Sequence, residues 1–536
     1  MKTIKSNQQF KLAVVLAALL TVVSHTSVAE TSPPLKPNFI FILTDDLGYG
    51  DVHCLNPGRC KIATPNLDRL AAQGMTLTDA HSTSAVCTPS RYGILTGRYN
   101  WRTHEQSGVL NGYSQPLIAA DRLTVAGLLK QNGYTTAAMG KWHLGMGISK
   151  NLQELKVSDG PTTRGFDYYF GISASLDMPP YVFIENDHLT KAPTAIKQFG
   201  RKGAAAPDFE AVDVVPTLTQ KAGEFIAKTK SPYFLYLALP SPHTPLAPSK
   251  EWQGKSVLGP YGDYVMETDW AIGQVLDTLE KSGAAKNTLV IVSSDNGVAP
   301  YVGVGKEQLQ QLKAKGFKTT DSQLGGRQQY RQLEAMGHFS SADFRGHKAD
   351  IWDGGHRVPT FVRWPEKIQP GTTSGQLVSL VDFMATCADI VQAKIPANAA
   401  EDSVSLLPML LGKAPAPVHE AVVFHSINGS FAIQQGNWKL ELCSSSGGWG
   451  FPEPGSAEAK ALPPVQLYDM SKDIGERTNE YAGHSEIVAR LTKLLEKYVA
   501  DGRSTPGTKQ HNDAPINLWK DKNSTEANPG KNDAGD

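Results

Sequence analysis

Residues 38–46 read Asn-Phe-Ile-Phe-Ile-Leu-Thr-Asp-Asp, an apolar run that ends in two adjacent carboxylates, Asp45 and Asp46. A continuous β-rich run of this kind is typical of a strand that is buried on both faces of a parallel sheet. In open α/β sheets, ligands bind beyond the carboxyl ends of the strands, so the stretch predicts both a fold class and a place for a site. The alternative is that the Asp-Asp pair only opens a loop.

Other short apolar runs alternate with helical patterns along the chain. Strands are predicted over 38–43, 233–239, 289–292 and 358–362. Helices are predicted over 66–73, with Thr64 as N-cap, Pro65 in the first turn and Gly74 just beyond the end, and over 262–281. This alternation predicts an α/β fold with a large mixed, mostly parallel sheet covered by helices on both faces.

The pattern changes near residue 421. Short strands over 421–425, 431–435, 438–442 and 466–468, followed by a helix over 485–499, predict a small antiparallel sheet with one covering helix. We therefore predict a main domain over 36–420, a C-terminal α+β subdomain over 421–500, and a mobile polar tail over 501–536.

The first residues have the layout of a secretory signal peptide. Lys2, Lys5 and Lys11 precede an apolar run over 12–23, and small residues around Ala29 predict cleavage there. An uncleaved anchor is the alternative, but the run is short for a bilayer and no later stretch is apolar enough to span one. We expect export to the periplasm or beyond, without stable membrane insertion.

Charge and cysteine content set further expectations. The chain has 52 basic and 52 acidic residues, so nothing in its net charge indicates a nucleic-acid partner. It also has five cysteines, and an oxidising compartment favours their pairing, although an odd number leaves one over. Disulfides Cys54–Cys60 and Cys387–Cys443 are one of the connectivities that the sequence permits.

A second acidic pair resembles the first. The run over 288–294 is followed by Asp295 and Asn296, as the run over 38–44 is followed by Asp45 and Asp46. If the two strands are neighbours, three carboxylates and one amide oxygen converge. Such hard oxygen donors suit Ca²⁺ or Mg²⁺ rather than a metal that prefers thiolates.

The most specific motif is Cys87-Thr88-Pro89-Ser90-Arg91, followed by Leu95-Thr96-Gly97-Arg98. Pro89 can lie in the first turn of a helix, whose free N–H groups would favour an anion near residue 87. The two segments resemble the signature at which type I sulfatases, of the alkaline phosphatase superfamily, are modified. The resemblance extends from about residue 36 to residue 500 and implies an alkaline-phosphatase-like fold.

Three further segments occur in the order that this family leads one to expect: residues 140–145 (Gly-Lys-Trp-His-Leu-Gly), 242–245 (Pro-His-Thr-Pro) and 344–348 (Phe-Arg-Gly-His-Lys), with 353–359 behind the last. An isolated His or Lys in such a segment is more often solvated or satisfied in a core. Their joint occurrence favours the family. One departure is Asp353, where the family commonly has Glu, and we interpret Asp353 as a loop-shaping residue.

The resemblance implies a role for each matched residue. A formylglycine-generating enzyme would oxidise Cys87 to formylglycine, whose hydrate attacks sulfur, and one Ca²⁺ would be held by Asp45, Asp46, Cys87, Asp295 and Asn296. Arg91 would brace the nucleophile's oxyanion. Lys141 and Lys348 would bind sulfate oxygens, His243 would protonate the leaving group, and His143 would be the base that releases sulfate.

The sequence says less about the substrate. Export and family habit favour a sulfated polysaccharide or oligosaccharide over a small aryl sulfate. Residues proposed to contact it are Arg98, His104, Asp177, Arg327, Arg345 and His347. Arg327 belongs to the long stretch 298–341. An ordinary solvated insertion is at least as good an interpretation of this stretch as a substrate-binding segment.

Two other functions compete with sulfate hydrolysis. A phosphomonoester or phosphonate hydrolase of the same superfamily uses a similar centre, but it usually recruits more metal ligands than the sequence offers. A noncatalytic carbohydrate-binding relative would be expected to lack at least one residue of the catalytic set, and none is missing.

Overall fold

A computed structural model describes residues 36–230, 232–318, 325–413 and 417–520. In chain order, the strands of these residues are β1 (Asn38–Asp45), β2 (Met75–Leu77), β3 (Ala80–His81), β4 (Thr135–Lys141), β5 (Tyr168–Ile172), β6 (Ile184–Glu185), β7 (His188–Leu189), β8 (Ala195–Gln198), β9 (Lys202–Ala205), β10 (Tyr233–Pro242), β11 (Thr288–Ser294), β12 (Phe361–Arg363), β13 (Thr372–Ser374), β14 (Val378–Ser379), β15 (Val422–His425), β16 (Phe431–Gln435), β17 (Trp438–Glu441) and β18 (Gln466–Asp469).

The α-helices of the same residues are α1 (Pro65–Gln73), α2 (Cys87–Thr96), α3 (Val125–Gln131), α4 (Val214–Lys228), α5 (Pro260–Lys281), α6 (Lys306–Ala314), α7 (Tyr330–Ala335), α8 (Asp353–His356), α9 (Phe383–Val391), α10 (Leu407–Leu410), α11 (Ala457–Lys460) and α12 (Ser485–Ala500). Two groups of helices cover the large sheet. Helix α5 contacts both α1 and α4, while α2, α3 and α9 contact one another, and both groups contact its strands.

The large sheet has ten strands in the order β13-β2-β12-β11-β1-β10-β4-β5-β6-β7. Its centre is parallel: β1 lies between β10 and β11, with Phe39 opposite Phe234 on one side and Leu289 on the other. Every residue of β1 and β11 is buried, as expected of apolar strands covered on both faces. The carboxyl ends of β1 and β11 are therefore neighbours at one edge of the sheet.

The smaller sheet is antiparallel in the order β15-β16-β17-β18. Leu491 and Leu495 of α12 pack on it in one apolar cluster with Val423, Ile433 and Leu440. The predicted fold class, a large mostly parallel sheet with helices plus a small antiparallel sheet and helix, is confirmed. Among the predicted strands, the one over 358–362 begins later, at Phe361, and helix α1 has the bounds that Thr64, Pro65 and Gly74 predict. The domain boundaries remain predictions.

Residues 501–520 correct the prediction of a mobile tail beginning at 501. Asp513 accepts a hydrogen bond of 2.9 Å from the buried Arg98, and Asn512 accepts one of 3.0 Å from the buried Arg102. Leu518 is part of the apolar cluster of the small sheet. Polar composition misleads here because these polar groups are partners of buried arginines. Residues 521–536 lie outside the described residues, as does the predicted signal peptide over 1–29.

The predicted disulfides are absent: within the described residues, which include all five cysteines, no disulfide forms. Cys387 lies in the core of the large sheet, whereas Cys443 lies in a separate cluster with Val422 and Phe424. Cys60 is buried and directs its thiol to the carbonyl oxygens of Asp51 and Ile62.

No helix in the described part of the chain is both long and apolar enough to cross a membrane.

Candidate active site

The acidic pairs that follow β1 and β11 meet at the carboxyl edge of the large sheet. The amide N–H of Asp46 donates to Asp295 Oδ1 at 3.3 Å, and Asn296 Nδ2 donates to Asp46 Oδ1 at 2.7 Å. Asp45, Asp46, Asp295 and Asn296 are all buried. Asp46 has a φ of 65°, a left-handed conformation that carries the chain sharply away from the strand. The parallel pairing of β1 with β11 thus brings together Asp46 and Asn296, which are 250 residues apart in the sequence.

Cys87 is the first residue of α2 and faces these carboxylates. Its Sγ lies 3.5 Å from Asp45 Oδ1 and the side chain is buried. Burial, followed by the negative charge of Asp295, raises the pKa of the Cys87 thiol. A thiol that stays protonated is a poor nucleophile.

Arg91 lies one helical turn after Cys87 and binds the acidic cluster directly. Its Nε and Nη2 donate to Asp295 Oδ2 at 3.0 and 2.7 Å, and its Nη1 donates to the carbonyl oxygen of Lys141 at 3.0 Å. The guanidinium is fully buried. All three nitrogens are thus engaged by Asp295 and the end of β4, and Nη2 also lies 3.7 Å from Asp45 Oδ2, so Arg91 holds the acidic cluster together. Its role at an oxyanion on residue 87 stays a prediction.

Two lysines compensate the charge of the first acidic pair. Lys141 Nζ lies 2.6 Å from Asp45 Oδ2, and Lys348 Nζ lies 2.7 Å from Asp46 Oδ1. Against the effect of burial, Lys141 and then His243 lower the pKa of Asp45 well below its usual range. Likewise, against burial, Asp46 raises the pKa of Lys348 well above its usual range. Both lysines are cations that point at the predicted reaction centre.

The two predicted histidines occupy different positions. His243 Nε2 lies 3.7 Å from Asp46 Oδ2, at the end of β10. His143 Nε2 lies 2.6 Å from the carbonyl oxygen of Leu110, which can only accept, so Nε2 carries the proton. Nδ1 of His143 is buried with no hydrogen-bond partner among the described residues. Burial, followed by the charges of Lys141 and Arg91, lowers the pKa of His143 well below its usual range.

The acidic cluster has the donor groups of a metal site. Asp45, Asp46, Cys87 and His243 bring one ligand atom each to within 4.8 Å of one another. Oδ1 of Asn296 is buried and has no hydrogen-bond partner in the described part of the chain. Burial and the adjacent Asp45 raise the pKa of Asp295, as expected where negative charge is crowded. Crowded carboxylates beside an unpartnered amide oxygen fit a hard divalent cation.

The residues predicted to contact substrate separate into three groups. Arg98 is wrong for that role because it is fully buried and bound to Asp513 and Glu401. Arg327, Arg345 and His347 instead line one cavity. His104 is exposed and Asp177 is partly buried.

Sequence reasoning missed several residues around the site. Tyr301 and Trp449 lie with their ring centroids 5.9 Å apart, next to the predicted lysine segment. Lys439 of β17 is buried and lies 2.8 Å from Asp353 Oδ1 and 2.6 Å from Glu476 Oε1. Trp449 could have been recognised from the sequence, because it is a single large aromatic residue in the Gly/Ser-rich stretch 444–450. Asp353 shapes its segment through these charges, since Arg357 also binds it at 3.1 Å.

Comparison with known proteins places the chain among its relatives. A family model described as Sulfatase matches residues 37–393, and one described as N-sulphoglucosamine sulphohydrolase, C-terminal, matches residues 347–440. The chain is 34% identical to the N-acetylgalactosamine-6-O-sulfatase of Bacteroides thetaiotaomicron over 509 residues, covering 86% of this chain and 93% of the relative. It is 30% identical to human arylsulfatase A, with 86% of each chain covered.

A solved structure agrees with these relatives. It comes from work on the metabolism of multiple glycosaminoglycans by Bacteroides thetaiotaomicron and superposes with a TM-score of 0.73 at 32% sequence identity, covering 86% of this chain and 99% of the other.

Proposed function

The chain belongs to the sulfatase family and hydrolyses sulfate esters, and we propose that its substrate is a sulfated oligosaccharide or polysaccharide. We further propose that the nucleophile derives from Cys87 and that one Ca²⁺ assists it. The observation that carries the proposal is the position of Cys87 Sγ, 3.5 Å from Asp45 in a buried cluster of carboxylates.

The proposed metal ligands are Asp45, Asp46, Asp295 and Asn296, with residue 87 completing the set. All are oxygen donors once Cys87 is converted to formylglycine, which suits a hard cation. When bound, Ca²⁺ would neutralise developing negative charge and favour the ionised form of an oxygen nucleophile. The unpartnered Oδ1 of Asn296 supports this ligand set.

Conversion of Cys87 to formylglycine by a formylglycine-generating enzyme is part of the same proposal. It is supported by the family match and by the motif Cys-Thr-Pro-Ser-Arg over residues 87–91. The N-terminus of α2 places free backbone N–H groups beside residue 87, where they favour an anionic group.

The remaining residues divide the work on the sulfate group. We assign Lys141 and Lys348 to the sulfate oxygens, as point charges that also contact Asp45 and Asp46. His243, at the edge of the cluster, would donate a proton to the departing sugar oxygen. His143 would accept a proton at Nδ1, because its Nε2 already donates to Leu110. Arg91 is a positioning residue that holds Asp295.

The substrate class is inferred from the relatives. One relative carries the name N-acetylgalactosamine-6-O-sulfatase, and a solved neighbour comes from work on glycosaminoglycans. These names favour a glycosaminoglycan fragment among the sulfated sugars. Export is proposed from the N-terminal sequence alone.

The test is to co-express the chain with a formylglycine-generating enzyme, weigh the peptide that contains residue 87, and measure sulfate release from a panel of sulfated oligosaccharides. We expect the mass of the aldehyde or its hydrate, calcium-dependent sulfate release, and loss of both in Cys87→Ala. Release of phosphate but not sulfate from matched esters would overturn the proposal in favour of a phosphatase. Activity in Cys87→Ala would overturn the assignment of the nucleophile.

A further inference from the structure

A cavity opens beside Lys348, outside the cluster of carboxylates. We call it the arginine cavity and define it by Arg327, Gln328, Tyr330, Arg331, His347 and Trp449. Its volume is about 210 Å³, below the roughly 300–1,000 Å³ of drug-sized sites, so it suits a single sugar ring. The cavity neighbours the reaction centre, because His347 precedes Lys348 in the chain and Trp449 contacts Tyr301, which interacts electrostatically with Lys348.

Aromatic rings form the walls of the cavity. The Tyr330 and His347 rings lie 3.8 Å apart, and Arg327 lies over the Trp449 ring at 5.3 Å. Trp449 also contacts Tyr301, whose pKa is raised by burial against the influence of Lys348. Such rings offer flat apolar faces beside polar edges, which suits the two-sided character of a sugar.

The cavity has an excess of positive charge. Arg331 is exposed and, among the described residues, forms no hydrogen bond or ion pair, while Arg345 stacks on Trp352 at 3.6 Å in the cavity's lining. Besides Glu334 on the same helix as Arg331, two acids oppose them. Glu453 lies 3.8 Å from Arg327 Nη1, and Asp350 accepts hydrogen bonds from the N–H groups of Trp449 and Gly450.

Neither acid cancels that charge. Burial raises the pKa of Asp350 to about 7, so it is partly neutral, and the Arg327–Glu453 pair is long and half exposed. Burial and then Arg331 lower the pKa of His347 to about 3, so its ring is neutral at physiological pH. Glu334, three residues after Arg331 on α7, also interacts with its charge, but Arg331 is exposed and hydrogen-bonds no described residue, so its guanidinium is accessible to a ligand.

Unfilled hydrogen-bonding capacity also points to a ligand. Gln328 lines the cavity and is only 7% exposed, yet its Oε1 has no hydrogen-bond partner within the described residues. A buried amide oxygen without a donor costs free energy unless a bound molecule supplies one. A sugar hydroxyl is such a donor, and the guanidinium of Arg331 would bind an acidic group on the same ring.

We propose that the arginine cavity binds an anionic group of the substrate, a carboxylate or second sulfate on the sugar next to the one that loses sulfate. This rests on the proposed function, and it narrows the substrate from sulfated sugars in general to those with a second acidic group nearby. The arginines of the cavity act on binding, not on the reacting atoms.

Binding without turnover tests the proposal. Full-length Cys87→Ala protein is titrated calorimetrically with three probes: a monosulfated disaccharide with a uronate carboxylate, its methyl ester, which keeps the sulfate but has no carboxylate charge, and a disulfated disaccharide whose neighbouring sugar lacks a carboxylate. We expect the acidic probes to bind about tenfold more tightly than the methyl ester. The stronger of the two identifies the preferred anion.

Variants separate the cavity from general charge. Adding Arg331→Gln is expected to remove the preference for acidic probes, whereas Arg490→Gln, at an exposed arginine of α12, is expected to keep it. Equal binding of all three probes, no binding of any, or an unchanged preference in Arg331→Gln would overturn the inference. Failure of the proposed function is seen separately, as absence of sulfate release from the converted enzyme.

Discussion

Single residues fix the geometry of the acidic cluster, and Arg91 is the clearest case. Its two nitrogens on Asp295 and the third on the Lys141 carbonyl use the planar fork of a guanidinium, which a lysine ammonium cannot reproduce. Groups that orient metal ligands typically change metal affinity by about 10–100-fold when they are replaced. We therefore predict that Arg91→Lys lowers calcium affinity by about that factor, as measured by calorimetric titration of Ca²⁺.

The control is Arg102→Lys. Arg102 likewise directs two nitrogens, at 2.8 and 2.7 Å, to one carboxylate, that of Asp402, which lies away from the proposed ligands. This variant should lose stability but keep its calcium affinity. Equal affinity in both variants and the unaltered protein would refute the role of Arg91 as a positioning residue.

The buried His425 makes the free energy of unfolding depend on pH. Burial, followed by the charge of Lys520, lowers its pKa to about 3, whereas an unfolded chain has a histidine pKa of about 6.5. As pH falls, the unfolded chain therefore takes up the proton first. The contribution of His425 to stability is fully present above pH 6.5 and is lost as pH falls toward 3, by about 1.4 kcal/mol per pH unit.

We predict that His425→Phe reduces the slope of the free energy of unfolding against pH between pH 6 and 4. The reduction should be at most that of one proton, about 1.4 kcal/mol per pH unit. Urea denaturation at several pH values measures it. The same change at the exposed His104 should leave the slope as it was. A wild-type slope in His425→Phe would contradict the assignment.

At the scale of elements, Lys439 ties the small sheet to the segment that carries Lys348. Its ammonium on β17 lies 2.8 Å from Asp353 of α8, 2.6 Å from Glu476 and 3.4 Å from Glu441, and all four side chains are fully buried. Removing one partner from such a network leaves the others buried without compensation, which typically costs about 3–5 kcal/mol. We predict a loss of that size in Lys439→Met, measured by urea denaturation.

Lys472→Met is the matched comparison, because Lys472 pairs at 2.7 Å with Asp469 at the end of β18 but is 75% exposed. An exposed ion pair contributes little to stability, so Lys472→Met should lower the free energy of unfolding much less than Lys439→Met. If Lys439→Met and Lys472→Met lower the free energy of unfolding equally, the buried network does not stabilise the contact between the small sheet and α8.

At the scale of the whole molecule, local sequence patterns predicted the parts that depend on short stretches. The apolar run of β1 and the capping residues of α1 are such signals, and parallel pairing then implied that Asp46 and Asn296 meet. The position of Lys439, the cavity beside Lys348 and the burial of Arg98 were not predictable, because each depends on partners from distant parts of the chain. An arginine after a recognisable motif reads as exposed, and only its partner, 415 residues later, shows otherwise.

The contacts of Arg98 and the burial of Cys87 together impose an order on biosynthesis. Arg98 follows α2, and its partner Asp513 is made 415 residues later, which takes roughly 20–80 s at about 5–20 residues per second. In the finished fold, Cys87 is only 2% exposed and closed to another enzyme's active site. Under the proposed maturation, the oxidation of Cys87 must therefore take place while the nascent chain is still incomplete or unfolded. Once the chain has folded around Cys87, the period in which the nucleophile can be made would be over.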